Sequence, residues 1–179
     1  MQDCPLEAHS PQEAVLYVMV HPCAVCGHNV VTPHPQLDTA RAEHPVVLGE
    51  CDNCGTVHRY VFSIARGLLC DDPIGANQPL NPAAARSRII DAVQWVSLYA
   101  HFAEQSSQTP DKHEARWRMI RAGECLDEAL RFYDGNDLPS DDVLFTPGSK
   151  ELVRLHQSRY DRSRLVDLRR KCPVMAPCE

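Results

Sequence analysis

The chain has no glycine-rich phosphate loop, no nucleophile elbow and no His-Glu-x-x-His pair. Their absence removes the sequence signatures of P-loop nucleotide chemistry, of α/β-hydrolase acyl transfer and of zinc proteolysis. Long apolar runs are missing too. The most apolar stretch, residues 14–20, covers seven positions, against the ~20 needed to cross a bilayer. Acidic residues and prolines precede it, where a secretory leader carries positive charge, so a cytoplasmic protein without a membrane segment is expected. Positive charge is scarce in the first half. Through Asn81, Arg41, Arg59 and Arg66 stand against nine acidic residues, which accounts for the whole formal net charge of −6. Such a surface is poorly suited to a phosphate backbone.

What is present is a hydrophobic fraction of 44%, ordinary for a globular chain of 179 residues, and enough for a core in one medium or two small domains. Nine cysteines in a cytosolic setting read as metal ligands and free thiols rather than a disulfide framework.

Four of these cysteines are organised. Cys23 and Cys26 form one Cys-x-x-Cys followed by Gly27, and Cys51 and Cys54 form another followed by Gly55. A Cys-x-x-Cys turn brings two sulfurs to one ion, and the glycine lets the backbone turn back after the second ligand. Residues 14–20, 28–32, 46–50 and 56–64 read as strands around the two knuckles, because they are dense in β-branched and aromatic side chains. Prolines 33, 35 and 45 place a loop within the 24 residues that separate the knuckles. The two pairs resemble the paired knuckles of the zinc-ribbon superfamily, over residues 14–64 and at the level of fold. That resemblance implies one structural Zn²⁺ held by Cys23, Cys26, Cys51 and Cys54, a closed thiolate shell with no open position for catalysis. Zinc ribbons serve many processes, so the resemblance does not choose among functions.

Residues 71–81 carry linker chemistry. Asn81 and Pro82 then give an N-cap and a proline at the first helical position, predicting a helix from there to about residue 105. Ala85, Ile89, Ala92, Val93, Val96, Tyr99 and Ala103 supply its apolar spacing, widened by Trp95, Leu98 and Phe102. Thr109, Pro110 and Asp111 repeat the signal and open a second helix to about Tyr133, predicting an antiparallel hairpin. Shorter helices are expected over 149–157 and 161–170. The expected architecture is α+β: a flexible terminus (1–13), a β zinc ribbon (14–70), a linker (71–81), a helical domain (82–172) and a tail (173–179).

Further candidates surround this frame. Glu124, Asp127 and Glu128 on the second helix, with His101 and Glu104 on the first, could build a metal or acid–base site. The simpler reading is a solvated face with an Asp127–Arg131 pair. His21, His28, His34, His44 and His58 cluster around the knuckles, but four thiols already complete a zinc shell. Cys125 reads as a small core residue, and Cys172 and Cys178 as a weak pair. Residues 150–171 hold eight basic against three acidic residues. Arg159, Arg162, Arg164, Arg169 and Arg170 could meet nucleic acid or an acidic partner, while Leu165, Val166 and Leu168 suggest a helix docked on the hairpin. The function expected from the whole is a non-enzymatic, zinc-stabilised adaptor that binds another protein. A nucleic-acid-binding protein using the basic helix is the first alternative, and a metal-dependent enzyme on the helical carboxylates the second.

Overall fold

A computed structural model describes residues 4–28, 31–33, 44–64, 79–82 and 85–174. The protein is a mixed α+β chain, with one small sheet and five α-helices among the described residues, divided into two compact units, residues 1–89 and 90–179. The linker expected at 71–81 lies mostly outside the described residues, as do Cys70, Cys178 and His34.

In the first unit β1 (Leu6–Ala8) is followed by α1 (Pro11–Val20), β2 (Val31–Pro33), β3 (Val46–Cys51) and β4 (Val57–Ile64). Strands β2, β3 and β4 are antiparallel neighbours, and β1 lies parallel to the end of β4, giving the order β1-β4-β3-β2. Two expectations are corrected here. Residues 14–20 are helix rather than strand, and the terminus expected to be loose at 1–13 contains β1 and the first turn of α1. The helix starts where it does because the Ser10 hydroxyl accepts from the Glu13 amide at 2.9 Å, Pro11 sits in the first turn, and the His9 amide donates back to the Glu13 carboxylate. This is the reciprocal capping logic of a helix N-terminus. Seven of its ten residues are buried, from Pro11 round to Val18, so no polar face interrupts the apolar run to disclose a helical period. Tyr17 projects onto the sheet and meets Phe62 edge-on at 5.9 Å.

The second unit is helical: α2 (Ala92–Gln108), α3 (Lys112–Leu130), α4 (Pro147–Leu155) and α5 (Arg162–Lys171), with single 3-10 turns at Asp141–Val143 and Gln157–Arg159. α2 and α3 form the expected hairpin. Asp111 caps α3 by accepting from the His113 and Glu114 amides. However, α2 begins ten residues later than Asn81 and Pro82 predict. Asn81 instead donates its side-chain amide to the Ala85 carbonyl, closing a turn. The true cap is Asp91, which pairs reciprocally with Gln94 in a capping box. The core gathers Trp95, Leu98, Leu126, Phe132, Tyr133, Tyr160 and Leu165, all fully buried. Tyr133 satisfies its hydroxyl by donating to the Tyr160 carbonyl at 2.6 Å, as a buried phenol requires. α5 packs on α3 at Gly123, where a Cβ would come within 3.0 Å of the Cys172 Cβ.

Candidate metal centre

The two Cys-x-x-Cys-Gly segments fold alike. In the first, the Cys23 amide donates to the His28 carbonyl and the Gly27 amide to the Cys23 carbonyl, both at 2.8 Å. In the second, the Cys51 amide donates to the Thr56 carbonyl at 3.0 Å and the Gly55 amide to the Cys51 carbonyl at 2.8 Å. Gly27 and Gly55 have φ of 71° and 68°, the left-handed region that a residue with a Cβ enters at a cost of roughly 1–2 kcal/mol. One knuckle follows the end of α1, the other joins β3 to β4. The expected strand before the first knuckle is thus replaced by a helix, without changing the knuckle itself.

Together the knuckles gather four sulfurs whose ligand atoms all lie within 4.8 Å of one another. Cys23 and Cys54 approach to 3.7 Å and Cys26 and Cys51 to 3.6 Å. A disulfide would need about 2.05 Å. Four sulfurs each ~2.3 Å from a central zinc would define a tetrahedron with edges of about 3.75 Å, so the spacing fits a tetrahedral thiolate-bound ion. Cys23 and Cys51 are buried while Cys26 and Cys54 are exposed, so the group sits at the edge of the first unit.

Two side chains touch the sulfurs from outside. Thr56 Oγ1 lies 3.2 Å from Cys54 Sγ, and this side-chain contact is the main reason the Cys54 pKa is drawn down to about 6. His58 Nε2 lies 3.1 Å from Cys23 Sγ, within reach for a ring N–H to donate to a thiolate. Cys26 is shifted down as well, chiefly by the Asn53 side chain, whereas Cys51, although the Cys54 amide pulls it down, is pushed up to about 11 by burial and by the neighbouring sulfurs of Cys26 and Cys54. A depressed thiol pKa favours the thiolate, the form that binds metal. Thr56 went unnoticed in the sequence, although a hydroxyl two residues beyond a knuckle cysteine is a readable cue.

The other histidines are placed apart from the sulfurs. His21 stacks on Tyr17 at 4.7 Å, and burial lowers its pKa. His28 contributes its backbone carbonyl and His44 is exposed. Among the described residues, the four cysteines are the one group of three or more His, Cys, Asp or Glu side chains close enough to share an ion.

The α3 carboxylates do not converge; each takes an arginine. Glu124 pairs with Arg121 at 2.7 Å and Glu128 with Arg131 at 3.1 Å. Asp127 pairs with Arg169 of α5 at 2.8 Å, not with Arg131 as helical spacing predicts. The cross-helix partner wins because α5 docks against α3 and brings Arg169 within reach. Glu104 accepts from Gln108, and His101 is exposed beside Phe102. The basic segment is divided as well. Arg169 and Arg170 are held by Asp127 and Asp167, whereas Arg162 and Arg164 are exposed and Arg159 lies over the Tyr160 ring. Leu165 is fully buried, as a docked helix demands, and Cys125 is a buried core residue. No protein-family model, curated protein or solved structure matches the chain.

Proposed function

We propose that the first unit is a zinc ribbon whose single Zn²⁺ is structural, and that the protein is a non-enzymatic adaptor binding another protein. The observation that carries this reading is the closed set of four sulfurs at tetrahedral spacing. Zinc suits such a site because thiolates match its borderline softness and four of them complete its shell. Cys23, Cys26, Cys51 and Cys54 hold the ion, and its role is to join the end of α1 to the β3–β4 hairpin.

The alternatives draw less support. A nucleic-acid reading relies on the basic helix, yet two of its five candidate arginines are already engaged with carboxylates. An enzymatic reading relies on helical carboxylates, of which Glu124, Asp127 and Glu128 each have an arginine partner. A tagged pull-down from native lysate, with and without nuclease, tests the proposal. A stoichiometric protein that survives nuclease supports the adaptor; partners lost with nuclease move nucleic acid to first place. Metal analysis of the purified chain should return one zinc per molecule, and a second resident metal would revive the enzymatic reading.

A further inference from the structure

The β3–β4 ladder is anchored at both ends through even-numbered residues, Thr56 just before β4 and Phe62 within it: the Cys51 amide bonds the Thr56 carbonyl at 3.0 Å, and the Phe62 amide bonds the Pro45 carbonyl at 2.9 Å. Backbone groups alternate sides along a strand. Residues 57 and 59 therefore direct their N–H and C=O groups away from β3, toward the side where β1 lies. β1, however, reaches only the register of Phe62, Ser63 and Ile64. Beside Val57 and Arg59 the edge has no strand among the described residues.

The side chains along this edge divide by face. His58, Tyr60 and Phe62 share the face that α1 covers, where Tyr17 meets both rings and Val47 is fully buried. Val57, Arg59 and Val61 occupy the opposite face with their cross-strand partners Glu50, Leu48 and Val46. That face carries four aliphatic side chains beside the exposed Glu50, and it is open: Val57 is 56% exposed, and Val46, Leu48 and Val61 are half-buried. Arg59 is exposed in the middle of it and makes no ion pair among the described residues.

We propose that the β4 edge at Val57 and Arg59 accepts an extended segment of a partner protein as an added strand, in line with β1. The segment carries aliphatic, acidic and aliphatic side chains at alternate positions. Its backbone pairs with the open groups of Val57 and Arg59, its carboxylate faces Arg59, and its aliphatic residues cover Val57 and Val61. Backbone pairing gives affinity and the alternate side chains give selectivity, as in other strand-addition complexes. The inference rests on the adaptor reading and names the partner's chemistry.

The test uses the zinc-loaded full chain and three capped peptides: Val-Thr-Glu-Thr-Val, its lysine-for-glutamate twin, and an N-methylated twin that cannot pair through its backbone. In the free protein the amides of Val57 and Arg59 should exchange with solvent rapidly, while those of His58 and Tyr60 are protected. The glutamate peptide should slow exchange at Val57 and Arg59 and bind about fivefold more tightly than the lysine twin. Arg59→Glu, an exposed change that leaves the core alone, should reverse that preference. Protection of Val57 and Arg59 in the free chain would overturn the proposal, as would equal binding by the N-methylated peptide. A native protein partner that still binds Arg59→Glu undiminished would leave the adaptor standing and remove this edge from it.

Discussion

The Thr56 hydroxyl and the His58 ring touch the sulfur cluster without belonging to it, and their effect is on how firmly the cysteines hold a cation. Donors to ligand atoms commonly account for 10–100-fold in metal affinity. Thr56→Val should raise the Cys54 pKa from about 6 and weaken zinc binding by roughly tenfold in chelator competition. His58→Leu should also weaken zinc binding, through loss of the 3.1 Å contact with Cys23 Sγ, and retention of full affinity in both variants would show that neither contact matters. Three other carboxyl groups titrate away from their ordinary values, two downward and one upward. Asp161 is lowered mainly by Ser163 and Asp111 by the Glu114 amide, so these caps stabilise their helices above the ordinary aspartate range and lose that effect as pH falls through the depressed values. Glu124 is raised by burial even though Arg121 pulls it down, so its contribution is present at low pH and lost as pH rises through its elevated value. Carboxyl carbon shifts followed by NMR should place both aspartate midpoints below ~3.9 and that of Glu124 above ~4.3.

At the scale of elements, Asp91 joins two parts of the second unit. One carboxylate oxygen caps α2 and the other accepts from the Phe145 amide, just before α4, at 2.9 Å. Asp91→Ala removes a cap and strands a part-buried amide, and should cost about 2–4 kcal/mol in urea unfolding. A loss below ~0.5 kcal/mol would mean that water replaces both bonds. These elements differ in how plainly the sequence announces them. α3, α4 and α5 combine a polar cap with an amphipathic face, and all three were readable. The knuckles were readable because metal ligation fixes both residue type and spacing. α1 was not, because its residues are buried almost all round and a 3.6-residue period needs a polar side to appear. Its true signal was Ser10, Pro11 and Glu13 at capping spacing. α2 was started too early because Asn81 and Pro82 also suit a plain turn, and only tertiary contact favours Asp91 over them. The Asp127–Arg169 pair was invisible for a related reason: sequence spacing sees partners within one helix and not across two.

For the molecule as a whole, both compact units have an apolar core, Leu16, Val18, Val47 and Phe62 in the first and Trp95, Leu126 and Tyr133 in the second, but the first also places four cysteines at one point near its margin. Metal binding in small zinc domains supplies ~10–16 kcal/mol at neutral pH. Chelation should therefore collapse the dispersed amide signals of β2, β3 and β4 while those of α2 and α3 persist in the same NMR spectrum. Simultaneous loss of both sets would tie the helical unit to the metal as well. β4 begins three residues after Cys54, so on the proposed reading the strand that would offer its edge to a partner is shaped by an ion that the partner never meets. Newly made chains in a zinc-starved cell would keep their helices and lose their grip, making assembly a readout of zinc supply.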